Sequence, residues 1–225
     1  MWQEKKFTMA KKAEKKSPDI LTAYMTHCLE AEKTPQSVYK FCKDLGIEET
    51  DFYAHYGSLD AVKHSIWETF YTNTKTVIEK EAAYASLSRK DRLLTFYYTF
   101  FEVLLLNRSY VLFSFSGEHS SMQDWAQLKT LRSAVKSFAE ELIEEGNEEK
   151  SRFSQNSVPV FSEAVWAQLM FVLKFWIKDS SKGFEKTDAL IEKSVQAAFE
   201  VFDNTSVDTL VDLGKFLWKE LTNKA

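Results

Sequence analysis

The chain has 225 residues, of which six are Gly and three are Pro, roughly a third of what an average chain of this length carries. So few turn formers exclude a sandwich or barrel, which needs a turn about every ten residues. A hydrophobic share of 44% beside 28% charged residues excludes a disordered chain, and a formal net charge of −4 by itself favours no polyanionic partner.

In chain order, residues 1–16 hold six Lys and two Glu and predict a basic, disordered tail. No apolar stretch of the signal-peptide kind follows it, and Cys28 and Cys42 are too few for a disulfide framework, so a reducing, cytoplasmic location is expected. Ser17-Pro18 and Thr34-Pro35 read as helix N-caps with a first-turn proline. Gly46, Gly57, Gly117, Gly146 and Gly183 fall where apolar periodicity lapses, as helix-ending glycines do. The predicted fold class is all-α.

Ile20, Leu21, Tyr24, Met25 and Cys28 mark the inner face of a first helix. A second begins at Thr34-Pro35, buries Val38, Phe41 and Leu45 and closes at Gly46; a short third carries Phe52, Tyr53 and Tyr56. Ser58 caps a long fourth helix expected to run to about Tyr84. Ser88 and Asp91 cap a fifth that is apolar on nearly every side, hence central. A short apolar piece spans 110–115, an amphipathic helix spans about 122–145, and a polar loop is expected over 146–156. The helix from Pro159 carries two apolar stripes and so requires two partners; helices over 187–202 and 206–221 complete nine or ten.

Two stretches invite comparison with membrane spans. Leu93 to Leu106 is shorter than the roughly 20 residues a spanning helix needs. Pro159 to Ile177 contains Glu163, Gln168 and Lys174, and a charge costs about 3 kcal/mol at a bilayer centre. No membrane span is expected.

Catalytic signatures are sparse. His27, His55, His64 and His119 stand in no metal-ligand spacing, and Glu118-His119-Ser120-Ser121 reads as a polar turn because adjacency in sequence is not triad geometry. Six scattered glycines build no phosphate-binding loop. No enzymatic activity, cofactor or metal is expected.

Residues 34–64 form a helix, a glycine turn and a second short helix, the helix-turn-helix unit. Ser37-Val38, Phe41-Cys42, Leu45-Gly46-Ile47, Phe52-Tyr53-Ala54-His55-Tyr56 and Ala61-Val62 together resemble the N-terminal domain of the TetR family of transcriptional regulators, over about residues 17–70. The resemblance implies a basic tail (1–16), a helix-turn-helix head (17–65) and a helical ligand-binding and dimerisation domain (66–225). It implies a homodimer that binds double-stranded DNA and answers to a small hydrophobic ligand. Lys40, Lys43, Thr50, Tyr53 and His55 are the DNA-contacting residues it implies. The departures are acidic: Glu48, Glu49 and Asp51 occupy the first turn of the reading helix, Asp51 stands where the family has Thr or Ser, and Leu59 stands where it has Lys. From Ser17 to His64, eight acidic residues face four Lys. The alternative is a protein of this fold that has lost specific DNA binding and holds a lipid or other hydrophobic ligand, as an isoprenoid-binding relative does.

Phe96, Phe100, Phe113, Trp125, Phe138, Trp166 and Phe171 are candidates to line such a pocket, or simply fill the core, since the two have the same composition. Trp166, Met170, Leu173 and Ile177 are candidates for a dimer interface, unless a later helix of the same chain covers that stripe.

Overall fold

The computed structural model describes residues 19–116, 125–148 and 155–204. Over these the fold is all-α: nine α-helices, two single 3-10 turns and no strand among the described residues. The predicted tail, the Ser17-Pro18 start, the Glu118–Ser121 turn and the helix over 206–221 lie outside them.

Helix α1 (Ile20–Ala31) starts at Asp19, whose carboxylate accepts from the amides of Leu21 and Thr22. Its inner face is Ile20, Tyr24 and Cys28, one residue per turn. Helix α2 (Val38–Leu45) starts three residues later than Thr34-Pro35 predicts. The Ser37 hydroxyl accepts from the Lys40 amide at 3.2 Å and takes the capping role, while Pro35 is buried in the preceding loop. Gly46 ends α2 at φ 72, with its amide on the Lys43 carbonyl and the Ile47 amide on that of Cys42. Helix α3 (Glu49–Tyr53) follows and buries Phe52 against Phe41, their rings edge to face at 6.2 Å. Tyr24 packs on the other side of Phe41 at 6.0 Å, so three aromatic side chains from three helices make the core of the head.

Helix α4 (Leu59–Lys80) is capped by Ser58 and buries Val62, Ile66, Trp67, Phe70, Thr74 and Ile78. It stops short of Tyr84 because the next positions in phase, Glu81 and Ala82, carry nothing to bury; Tyr84–Ser86 is a 3-10 turn. The helix runs without interruption through residues 65 and 66, where the sequence divides head from body. Helix α5 (Arg89–Leu106) buries Leu93, Phe96, Tyr97, Phe100, Phe101 and Leu104 and packs on α4, as its apolar character predicts. Helix α6 (Arg108–Ser114) packs on α1.

Helix α7 (Lys129–Glu148) continues through Gly146, the expected terminator. The Arg89 guanidinium lies over that glycine, where a Cβ would overlap it, so the residue serves close packing rather than helix ending. Helix α8 (Val158–Lys178) packs along α7, and Glu163 accepts from Arg132 at 2.8 Å and Lys136 at 2.7 Å. By length and composition α8 could cross a bilayer, yet Phe161, Val165, Leu169, Val172, Leu173 and Trp176 are buried within the protein. Helix α9 (Glu185–Asn204) packs on α5 and α8.

Candidate functional site

Three surfaces of the molecule are candidates for a functional site: the outer face of the head, a cleft between α1, α4 and α6, and the outer face of α8.

On the head, Lys40 and Lys43 of α2, Thr50 and Tyr53 of α3 and His55 just beyond are all solvent-accessible, Tyr53 by 52%. Phe52 turns inward and so presents its neighbours outward, which is why a five-residue helix suffices. Glu48 and Asp51 share the exposed face, whereas Glu49 is half-buried. Cys42 and Cys28 sit behind this surface; burial raises both thiols, that of Cys28 to about 11, so they stay protonated at neutral pH.

The cleft, about 750 Å³, opens where α1, α4 and α6 meet. Tyr24 of α1, with Lys33 and Thr34 beyond its end, forms one wall. Asp60, Lys63 and His64 of α4 form the second, and Tyr110, Phe113 and Ser114 of α6 the third. Gln127 closes it and ties the walls together. Its carbonyl accepts from His64 Nδ1 (2.9 Å), its side-chain oxygen accepts from Trp67 Nε1 (3.1 Å), and its amide nitrogen donates to the Ser114 carbonyl (3.1 Å). Lys63 is paired with Asp60 at 2.9 Å, and that hydrogen bond lowers the Asp60 carboxyl. The Tyr24 hydroxyl is buried beside the Cys28 thiol one turn on, and burial above all raises its pKa above the ordinary phenol value. A smaller hollow of about 420 Å³ shares Tyr24, Thr34, Asp60 and Lys63 and extends to Tyr53.

Of the seven aromatics expected around a pocket, the structure brings Phe113 to this cleft. Phe96, Phe100 and Phe138 pack on one another instead, with Phe96 and Phe100 stacked at 5.7 Å and Phe138 4.8 Å from Phe96. Neighbouring turns of α5 place the first two side by side, and α7 closes over them. Trp125 lies against Phe115 at 4.7 Å, with the Lys174 ammonium over its ring. Trp166 is half-buried, and Phe171 points outward, 58% exposed.

On α8, Leu173 is fully buried within the chain, so it cannot touch a second copy directly; α8 turns it onto the core. Trp166, Met170 and Ile177 are half-buried. The exposed apolar row is Ala167, Phe171 and Phe175, one turn apart.

Residues 92–217 match the family described as tetracyclin repressor-like, C-terminal domain, which is more than half of the chain. The chain belongs to the TetR family. Among solved structures, a TetR-family protein from Syntrophomonas wolfei str. Goettingen, assigned as a transcriptional regulator, superposes with a TM-score of 0.61. The alignment covers 84% of this chain and 95% of that one at 17% identity, a likeness of fold. No curated protein matches the sequence.

The TetR match and the helix-turn-helix resemblance therefore meet on one chain, the match in the body and the resemblance in the head. Sequence reasoning assigned no role to the cleft residues Tyr24, His64 and Gln127. Tyr24 carries a faint signal: it occupies an inward position between Ile20 and Cys28, where a phenol hydroxyl must find a partner or go without. Gln127 carries none, because its role depends on α4, more than 50 residues away.

Proposed function

We propose that this TetR-family chain is a ligand-responsive transcriptional regulator that acts as a cytoplasmic homodimer on duplex DNA. In this reading residues 17–65 form the DNA-binding head, residues 66–225 the ligand-binding and dimerisation body, and the basic tail adds sequence-independent attraction. The observation that carries it is the outer face of the head. A capped α2, a left-handed glycine turn and α3 leave Lys40, Lys43, Thr50, Tyr53 and His55 each exposed to solvent. Lysines on α2 and a phenol on α3 suit phosphate binding, which sets register on the duplex.

Selection from random duplex DNA at physiological salt tests the reading: an enriched palindrome supports it, and no enrichment overturns it. With an operator in hand, Lys40→Gln and Lys43→Gln should each weaken binding about equally for all sequences. Each should also flatten the salt dependence by about one unit for every phosphate that is no longer neutralised.

A second reading is favoured by Glu48 and Asp51, which are exposed at the start of the same short helix as Thr50 and Tyr53 and repel a polyanion. In it the fold is kept, DNA reading is lost, and the body carries a hydrophobic ligand. Failure of the selection together with lipid retained in native mass spectrometry is its expected result.

A further inference from the structure

Helix α6 is held at its two ends. Its seven residues, Arg108–Ser114, are too few to persist alone, because an isolated helix shorter than about 12 residues is marginal in water. Its first residue, Arg108, donates to the carbonyls of Trp176, Ile177 and Asp179 at the end of α8. Tyr110 and Val111 seat its first half in the core, and no side chain after them in α6 is buried. Its last residue, Ser114, offers its carbonyl to the side-chain amide of Gln127 at 3.1 Å. The oxygen of that amide accepts from Trp67 Nε1 of α4 at 3.1 Å, and the Gln127 main-chain carbonyl accepts from His64 Nδ1 of α4 at 2.9 Å. Phe115 lies half-buried on the rings of Trp67 and Trp125, apolar contacts that fix no direction. One side chain thus spans α4 and α6 beside a cleft of about 750 Å³ that Gln127 itself lines. Trp67 is fully buried and Gln127 is 8% exposed, so release of the amide deprives a buried indole N–H of that acceptor, which costs stability. The fastened state is therefore the resting one.

We infer that Gln127 is a latch: it fastens the end of α6 to α4, and its release lets that end swing away from α4 about the Arg108 anchor and widen the cleft. Helix α1 of the head packs on α6 as well as on α4, so the state of the latch bears on how firmly the head is held. In the ligand-responsive reading, a hydrogen-bonding molecule that enters the cleft competes for the same amide, and this consequence alone rests on that reading. The latch itself needs neither DNA nor ligand.

Hydrogen exchange of the full chain, read by mass spectrometry as protection factors, tests it. Gln127→Leu keeps a side chain of similar size and removes its hydrogen bonds. It should speed exchange of the amides of residues 112–116 at least tenfold, while α5 and α8 change less than twofold. A residue that only supports the fold would speed every helix alike. Gln127→Glu is the second variant: a protonated carboxyl carries the donor and acceptor of the amide, whereas a carboxylate only accepts. Burial raises such a carboxyl, so residues 112–116 of this variant should be several-fold better protected at about pH 5 than at about pH 8. His64, Asp60, Lys63 and Lys33 line the same cleft, and His64 donates through Nδ1 in either charge state. The wild type at both pH values is therefore the control and should show no such ratio. Unchanged exchange at 112–116 in Gln127→Leu, equal acceleration in all helices, or the wild-type ratio in Gln127→Glu each overturns the inference. If operator selection fails while these results hold, the latch stands and only the DNA reading falls.

Discussion

Asp179 shows how much one side chain can organise. It stands at the end of α8, accepts from the Ser181 amide (2.9 Å) and hydroxyl (2.7 Å), and from the Thr187 amide (3.1 Å) and hydroxyl (2.7 Å). The Thr187 hydrogen bond above all holds its carboxyl down, from 3.8 to about 2. A carboxyl whose folded pKa lies below its unfolded one stabilises above the unfolded value. That contribution is therefore complete above about pH 5 and fades as pH falls from about 4 to about 2. Melting temperature against pH should show this loss in the wild type and not in Asp179→Asn. Gly146 carries a weaker constraint: a Cβ there meets the guanidinium end of Arg89, a flexible group that can swing aside. Gly146→Ala should therefore change stability in chemical denaturation by no more than about 1 kcal/mol, the usual helix-propensity difference between the two residues. The same glycine shows why sequence punctuation misleads. A glycine that ends a helix and a glycine under a guanidinium look alike in one dimension, because Arg89 is more than 50 residues away in the chain. Gly46 is legible as a terminator because its cause is local: its own φ of 72 and two adjacent carbonyls.

Among the elements, α8 is where periodicity was most and least informative. Two apolar stripes demand the core and a second partner, and within the chain α7 and α9 pack on this helix. Which stripe is inner depends on tertiary packing: Leu173 goes to the core, while Phe171 and Phe175 remain outside at 58% and 37% exposure. Two exposed phenylalanines one turn apart are costly on a lone protomer and suit an isologous dimer. Phe171→Glu combined with Phe175→Glu should shift the protein to a monomer in size-exclusion chromatography with light scattering. Helicity should stay unchanged, because neither side chain supports the fold. An unaltered dimer in that variant would place the interface elsewhere. Helix α5 was legible from its Ser88 cap and continuous apolar face; α4 was legible at its Ser58 cap but not at its end, and α1 in its inner face but not in its Asp19 cap. The start of α2 was not, because Thr34-Pro35 and Ser37 are rival caps, and the Ser37 hydroxyl is the one that reaches an amide inside the first turn of the helix.

At the scale of the whole molecule, the body is tied together through α6. Arg108 at its start donates to the carbonyls of Trp176, Ile177 and Asp179 at the end of α8, and its guanidinium lies over the rings of Trp176 and Phe184 at 4.3 and 4.4 Å. At its other end, the Ser114 carbonyl accepts from Gln127, which also holds Trp67 of α4. The cleft lies beside this second attachment, against an element already fastened to α8 and to α4. Composition made the helical class legible at this scale. The cleft was not legible, because its walls come from three segments that only the fold assembles.

The unbroken course of α4 sets a rule for anyone wishing to exchange heads between relatives. This helix packs on α1 of the head and on α5 and α7 of the body. A cut at residue 65 severs a helix and strips the cover from both cores. A fragment ending there should be unfolded by circular dichroism, and a chimera joined there should be insoluble. A graft that carries α4 whole and joins in the 81–83 turn keeps each apolar surface with its partner. In this architecture the exchangeable part is longer than the part that would touch DNA.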